Sequence, residues 1–272
     1  MGRFDTWDSY LWVPGGTVLR NLQDERDGGY LQRLEYHETF NRQREILTGK
    51  VDIPRTYDAD HLRAIHRHLF GNLYEWAGEY RSVNMGKPGA PAAFAHTSAI
   101  STYLEDAHSA VQRTDWRSLD RDGFAERASA TFAYINHAHP FREGNGRTAK
   151  VFMEHVAEQS GFTLEYSRVP PAAWNQASML SAPDLGMYEP DRGSLVPVFR
   201  ELAQPATTEN APNRQGASGV PSVAEEVRRQ SAQMFPTSAR AAMRSGSGAR
   251  ARVVRGTGAE KGSDQGLSLI HI

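Results

Sequence analysis

The stretch His139-Pro140-Phe141-Arg142-Glu143-Gly144-Asn145-Gly146-Arg147-Thr148-Ala149-Lys150 concentrates groups that handle phosphate and protons. Gly144 and Gly146 permit a backbone turn that presents N–H groups outward and keeps side chains away from a ligand. If a helix opens just beyond them, its unpaired N–H groups and dipole add an anion site. Asn145 can donate from its amide, and Arg147 brings a fixed positive charge for a phosphate oxygen. Glu143 can hold Mg²⁺ against the phosphates, because that ion favours one or two carboxylates plus phosphate oxygens. His139, at the mouth of the loop, titrates near neutrality and can accept a proton from an attacking hydroxyl. Taken singly, these residues are a turn, a surface charge, a solvated arginine and a structural histidine; together they suit phosphate-directed group transfer. Phe141 is the exception, an apolar anchor that belongs in the core.

Such a loop needs rigid flanks, and the apolar pattern supplies them. Phe124, Ala128, Phe132 and Ile135 recur at helical spacing up to His139, and Val151, Phe152 and Val156 continue beyond Arg147 until Gly161. Upstream, residues 30–47 are rich in helix formers. Leu62, Ile65, Leu69 and Phe70 form another stripe behind Asp58 and Asp60, either of which can cap it. Ile100, Tyr103, Leu104, Ala107 and Val111 form a third. Shorter helices are predicted over Ala172–Met179 and Leu195–Leu202. Between the second and third stripes, residues 81–91 alternate and then turn at Gly86, Pro88, Gly89 and Pro91, which predicts a short hairpin. The expected fold is mainly α-helical with one small β-hairpin.

Composition narrows the rest. The 272 residues carry a formal charge of -1, which gives no global bias toward nucleic acid. Without cysteine, disulfides and thiol chemistry are excluded. No window approaches the roughly 20 apolar residues of a membrane span. Met1-Gly-Arg-Phe-Asp5 has no basic segment followed by an apolar run, so synthesis in the cytoplasm is the expectation. From residue 204 the chain turns to Ala, Ser, Gly, Pro and Arg with net positive charge, a composition read as a mostly disordered tail. Three regions follow: an N-terminal helical extension over 1–56, a core over 57–203 and the tail over 204–272. The last seven residues fit nothing before them and stay outside the fold argument.

The loop resembles the signature of Fic (filamentation induced by cAMP) domains, His-x-Phe-x-Asp/Glu-Gly-Asn-Gly-Arg-x-x-Arg. Residues 69–81, Leu-Phe-Gly-Asn-Leu-Tyr-Glu-Trp-Ala-Gly-Glu-Tyr-Arg, look like that family's lead-in to its flap hairpin, and residues 10–21 look like the segment ahead of many bacterial Fic cores. The resemblance covers roughly residues 8–203. It implies a Fic-type helical bundle with one short β-hairpin flap. It further implies a protein adenylyltransferase that moves AMP from ATP to a hydroxyl of a target protein. In that scheme His139 deprotonates the hydroxyl, Glu143 holds Mg²⁺, and Gly144, Asn145, Gly146 and Arg147 bind the α- and β-phosphates. The hairpin around residues 82–95 registers an extended target segment by main-chain pairing.

One departure stands in the motif. Lys150 occupies the place of the final arginine, which reaches the γ-phosphate in the family; the charge is kept but the bidentate fork is lost. Gly146 is intact, which favours nucleotidyl over phosphoryl transfer. The inhibitory pattern Ser/Thr-x-x-x-Glu-Gly/Asn has no intact copy; Ser222-Val-Ala-Glu-Glu226 lacks the final Gly or Asn, and Glu209-Asn210 follows Pro205 instead of Ser or Thr. This suggests a separate small antitoxin and the toxin of a toxin–antitoxin pair, or a related effector delivered into another cell. The target stays open; type II topoisomerase subunits are one class that such relatives modify. Three alternatives remain at this point: another donor (UMP or phosphocholine), a catalytically silent binding module, or a metal-dependent hydrolase using His137, His139 and His155.

Overall fold

The computed structural model describes residues 4–86 and 93–206. Seven α-helices among them form the framework. Asp27 caps α1 (Gly28–Leu47) by accepting from the Tyr30 N–H at 2.7 Å, and Asp58 caps α2 (Ala59–Phe70) through the His61 N–H at 2.9 Å. Such caps satisfy donors that a helix start leaves unpaired. Next come α3 (Ile100–Gln112) and α4 (Arg121–Ala138), the latter capped by Asp120 on the Gly123 N–H. Then follow α5 (Asn145–Ala157), α6 (Pro171–Leu180) and α7 (Val196–Leu202).

Burial explains the arrangement. The apolar stripes of α2, α3, α4 and α5 all lie in one core. α4 is buried almost all round, at Phe124, Ala125, Ala128, Ser129, Phe132, Ala133 and Ile135, which marks a central helix. It packs against α3, α5 and α7, while α2 bridges α5 and α1. Residues 4–56 pack directly against this core: Tyr10, Leu11, Leu19, Leu31, Ile46 and Ile53 are part of it.

The strands need two comments. Gly86 pairs with Ala93 in an antiparallel bridge, and the Phe94 N–H donates to the Met85 carbonyl at 3.1 Å, so the two arms of the predicted hairpin meet. Its tip lies outside the described residues. A second pair was not foreseen: β1 (Phe162–Leu164) runs antiparallel to β2 (Ala203–Pro205), with Thr163 opposite Gln204. Three residues are too few to show a period of two, and the pairing joins segments 41 positions apart that follow α5 and α7. β2 also crosses the boundary drawn at 203/204, so Gln204 and Pro205 sit on the core side. Both near-copies of the inhibitory pattern have residues outside the described ones.

Besides His139, this framework encloses His61, His66, His137 and His155. Burial holds them well below the ordinary imidazole range, to about 4, about 3, about 4 and about 3 respectively. An unfolded imidazole takes up its proton near pH 6.5. These rings stay neutral there, so the stability they carry is complete above that pH and is lost progressively as pH falls. Burial pushes the Glu143 and Glu154 carboxyls upward, an opposing effect from two groups against four. The expected outcome is a urea-denaturation midpoint that drops between about pH 6.5 and about pH 4.5. A flat or rising midpoint would mean that the rings are charged inside the fold.

Candidate active site

The site begins where α4 stops. His139 closes the helix in the left-handed conformation (φ 40°, ψ 59°), with its N–H donating to the Ile135 carbonyl at 3.1 Å. A left-handed residue is a common way to end a helix, and Pro140 cannot extend one. The chain is thereby turned out of the α4 axis. The His139 imidazole lies flat on Phe94, with centroids 3.6 Å apart and planes within 9°. Phe94 is on the returning arm of the flap, so the flap and the imidazole share a contact.

Arg81, at the other arm of the flap, is buried, and its guanidinium donates to the carbonyls of His139 (2.8 Å), Ala138 (3.3 Å), Val83 (2.8 Å) and Ala95. Its own N–H donates to the Pro140 carbonyl at 2.8 Å, and the Ala95 N–H donates to the His137 carbonyl at 2.9 Å. Both arms are therefore pinned to the end of α4. Burial lowers the Arg81 pKa to about 10, which leaves it charged at neutral pH.

The loop that follows rests on an aromatic floor. Phe141 is fully buried and stacks on His66 at 3.8 Å, and His66 stacks on Phe70 at 4.7 Å. The His66 Nδ1 accepts from the Gly78 N–H at 2.8 Å, so its Nε2 carries the proton and donates to the Glu143 carbonyl at 3.0 Å. Only the neutral ring can do both. The Asn145 amide is occupied at both ends by Phe141, accepting from its N–H and donating to its carbonyl, each at 2.8 Å. It closes the loop, whereas the sequence reading aimed that amide at phosphate. The two glycines differ in what they avoid. Gly144 has φ 80°, and a Cβ there would collide with the Phe70 ring. Gly146 has nothing within 4 Å of a Cβ and is exposed, so its bareness answers no need of the fold.

Gly144 caps α5, whose first turn offers the backbone N–H groups of Asn145, Gly146 and Arg147. The Arg147 side chain is held from the far side. Its Nη2 pairs with the Glu35 carboxylate of α1, its Nη1 donates to Thr39 Oγ1 at 3.3 Å, and Glu143 lies 3.5 Å away. Burial, then the nearby Glu35 charge, raise the Glu143 pKa, against Arg147. Lys150 stands apart from this group. Its ammonium lies over Tyr166 and Trp174, at 4.9 and 5.1 Å from the ring centres, and burial lowers its pKa to about 8. Glu143, Gly144, Asn145, Gly146 and Arg147 are thus brought together at the start of α5, His139 stands at the other end of the same loop, and the Lys150 ammonium goes to Tyr166 and Trp174 instead.

The donor set suits a divalent ion of limited kind. No group of three or more His, Cys, Asp or Glu able to hold a metal occurs among the described residues. A cation here would rest on Glu143 together with oxygens of a substrate, which is the habit of Mg²⁺. The histidine hydrolase fares worse. The His155 Nδ1 is 2.8 Å from His61 Nε2, and His137 packs edge-on to Tyr103 at 4.6 Å, so these rings do not converge with His139.

Sequence reading missed Glu35, His66, Arg81 and Phe94 as parts of the site. His66 had a visible signal, a polar residue inside the Leu62–Leu69 apolar stripe, and Arg81 was quoted only within the lead-in. Glu35 and Phe94 had none.

The model of the Fic/DOC family matches residues 56–157. A probable protein adenylyltransferase of Sinorhizobium fredii is 34% identical over 184 residues, covering 66% of this chain and 92% of that protein. The protein adenylyltransferase VbhT of Bartonella schoenbuchensis is 35% identical over 169 residues, 62% of this chain and 34% of VbhT, so the chain spans about a third of that relative. Among solved structures, BepC of Bartonella tribocorum with bound AMPPNP aligns with a TM-score of 0.64 at 27% identity, over 74% of this chain and 98% of the other. With the loop, its helical flanks and these likenesses in agreement, the chain belongs to the Fic/DOC family.

Proposed function

We propose that this protein is a protein adenylyltransferase that transfers AMP from ATP to a hydroxyl side chain of another protein. The observation that carries the reading is the loop itself: it runs from His139, fixed at the end of α4, to a glycine-lined helix start with Arg147 and Glu143 beside it. The names of the relatives and the AMPPNP bound to BepC support the donor. The N–H groups of Asn145 and Gly146 and the Arg147 guanidinium would take the α- and β-phosphates, with the bare Gly144 turn beside them. His139 would accept the proton of the target hydroxyl as its oxygen attacks the α-phosphorus. The bond from that phosphorus to the bridging oxygen breaks, and pyrophosphate leaves. Mg²⁺, held by Glu143 and the phosphates, would supply charge neutralisation when bound. Lys150 reaches a γ-phosphate only by leaving its two rings, a weaker arrangement than the family's arginine.

The flap arms fixed by Arg81 support registration of an extended target segment by main-chain pairing. Control by a small antitoxin carrying Ser/Thr-x-x-x-Glu-Gly/Asn, and a toxin or effector role, belong to the same proposal. So does a cytoplasmic site of synthesis; no helix among the described residues is long and apolar enough to cross a membrane. UMP or phosphocholine as donor is the second reading, and parallel labelling with each donor separates them.

Replacing His139 by Ala should lower transfer by about 10²–10⁴-fold while ATP still binds. Labelling of a lysate with α-³²P-ATP reads this, and wild-type labelling by the variant would refute the base. Labelling that persists undiminished in excess EDTA would likewise remove the metal from the reaction. Gly146→Ala separates fold from ligand. Alanine is favoured over glycine in a helix by about 0.5–1 kcal/mol, so melting should hold or rise. ATP binding, measured by calorimetry, should fall because the new methyl enters the phosphate space. Unchanged ATP affinity would place the phosphates elsewhere.

A further inference from the structure

We propose that Glu35 is a positioning residue for Arg147, so that the nucleotide site is completed by a helix outside the segment that the family model matches. The proposal rests on the reading of the loop as a nucleotide site. Glu35 is buried on α1 at 7% exposure, and the matched segment begins only at residue 56. One carboxylate oxygen pairs with the Arg147 Nη2, and the other accepts from the Tyr74 hydroxyl. One turn further along α1, Thr39 accepts from the Arg147 Nη1 while its own hydroxyl donates to the Glu35 carbonyl at 2.8 Å. The faces of the guanidinium meet Phe70 at 4.8 Å and Tyr36 at 5.6 Å.

Both terminal nitrogens of the guanidinium are therefore tied to α1, and aromatic rings limit its tilt. An arginine aligned before its ligand arrives loses little freedom when phosphate binds, which is the basis of preorganised recognition. The opposite reading makes Glu35 a competitor that blocks Arg147 until displaced. A competitor has to be able to leave. α1 is a 20-residue helix with Leu31 and Ile46 in the core, and Tyr74 holds the Glu35 carboxylate from behind. The geometry favours a fixed support. Its position among residues also differs from the inhibitory pattern, since Leu31 precedes Glu35 by four and Tyr36 follows it.

The two readings predict opposite signs. Calorimetric titration of the full chain with Mg-ATP and with adenosine, beside thermal melting, compares wild type, Glu35→Gln, Glu35→Asp and Tyr74→Phe. The expected result is ATP binding about tenfold weaker in Glu35→Gln, with adenosine changed by less than about twofold. Glu35→Asp, which keeps the charge, should recover most of the loss, and Tyr74→Phe should weaken ATP by a few-fold. Tighter ATP binding in Glu35→Gln would overturn the proposal in favour of a competitor. Equal ATP affinity with lowered melting would reduce Glu35 to a structural residue. If Glu35→Gln does not fold, unchanged ATP affinity in Tyr74→Phe and Glu35→Asp refutes the proposal on its own. A wild-type protein that binds no ATP would sink the nucleotide reading itself, and Glu35 with it.

Discussion

A single buried cation organises this molecule. The Arg81 guanidinium reaches four backbone carbonyls that belong to three pieces of chain: the outgoing flap arm, the returning arm and the end of α4. Burying a charge costs several kcal/mol unless its donors are satisfied. Here they are, and by carbonyls at a helix C-terminus, where the dipole favours positive charge. Because those carbonyls include that of His139, the backbone of the proposed base and both arms that would register a target move as one unit. Phe94 adds a second link, stacking from the flap onto the imidazole.

Beneath the loop, the chemistry depends on a ring that takes no part in it. His66 receives an N–H from Gly78 on one side and donates to the Glu143 carbonyl on the other, between the rings of Phe70 and Phe141. That tautomer is forced, and burial keeps the ring neutral. Phe70 in turn explains Gly144, since any side chain there would occupy the space of its ring. A lysine or leucine in place of His66 would pack, but neither could accept from one backbone group and donate to another.

The electrostatics of the site are less simply positive than its glycines and arginine suggest. Arg147 lies between Glu35 and Glu143, so the carboxylates outweigh it. A polyphosphate arriving alone would meet helix N–H groups and one arginine already engaged. Bound together with a divalent cation, it would bring positive charge to the Glu143 carboxylate, which otherwise rests on the Gly144 N–H at 2.9 Å and Arg147 at 3.5 Å. The raised pKa of Glu143, caused by burial and by Glu35, expresses the same tension. Under the proposed function, a divalent cation and the nucleotide would be co-ligands, each relieving a charge left by the other.

Much of this was legible in the residues themselves. The four apolar stripes, the Asp58 cap and the loop of His139 through Arg147 are local signals, set by helical period, cap chemistry and glycine conformation. What the loop's amide and lysine do was not. The Asn145 side chain turned inward to Phe141, and the Lys150 ammonium went to Tyr166 and Trp174, because close packing gave each a nearer partner. The β1–β2 pair and the contribution of Glu35 depended on elements distant in the chain. Glu35 reaches Arg147 across 112 positions, and nothing in a helix of mixed glutamate, arginine and glutamine distinguishes that one carboxylate. Local sequence determined which segments are helices and which loop is proposed to carry the chemistry. Only the tertiary fold decided which buried charges meet, since a buried ion keeps its charge only where the packing brings a partner to it.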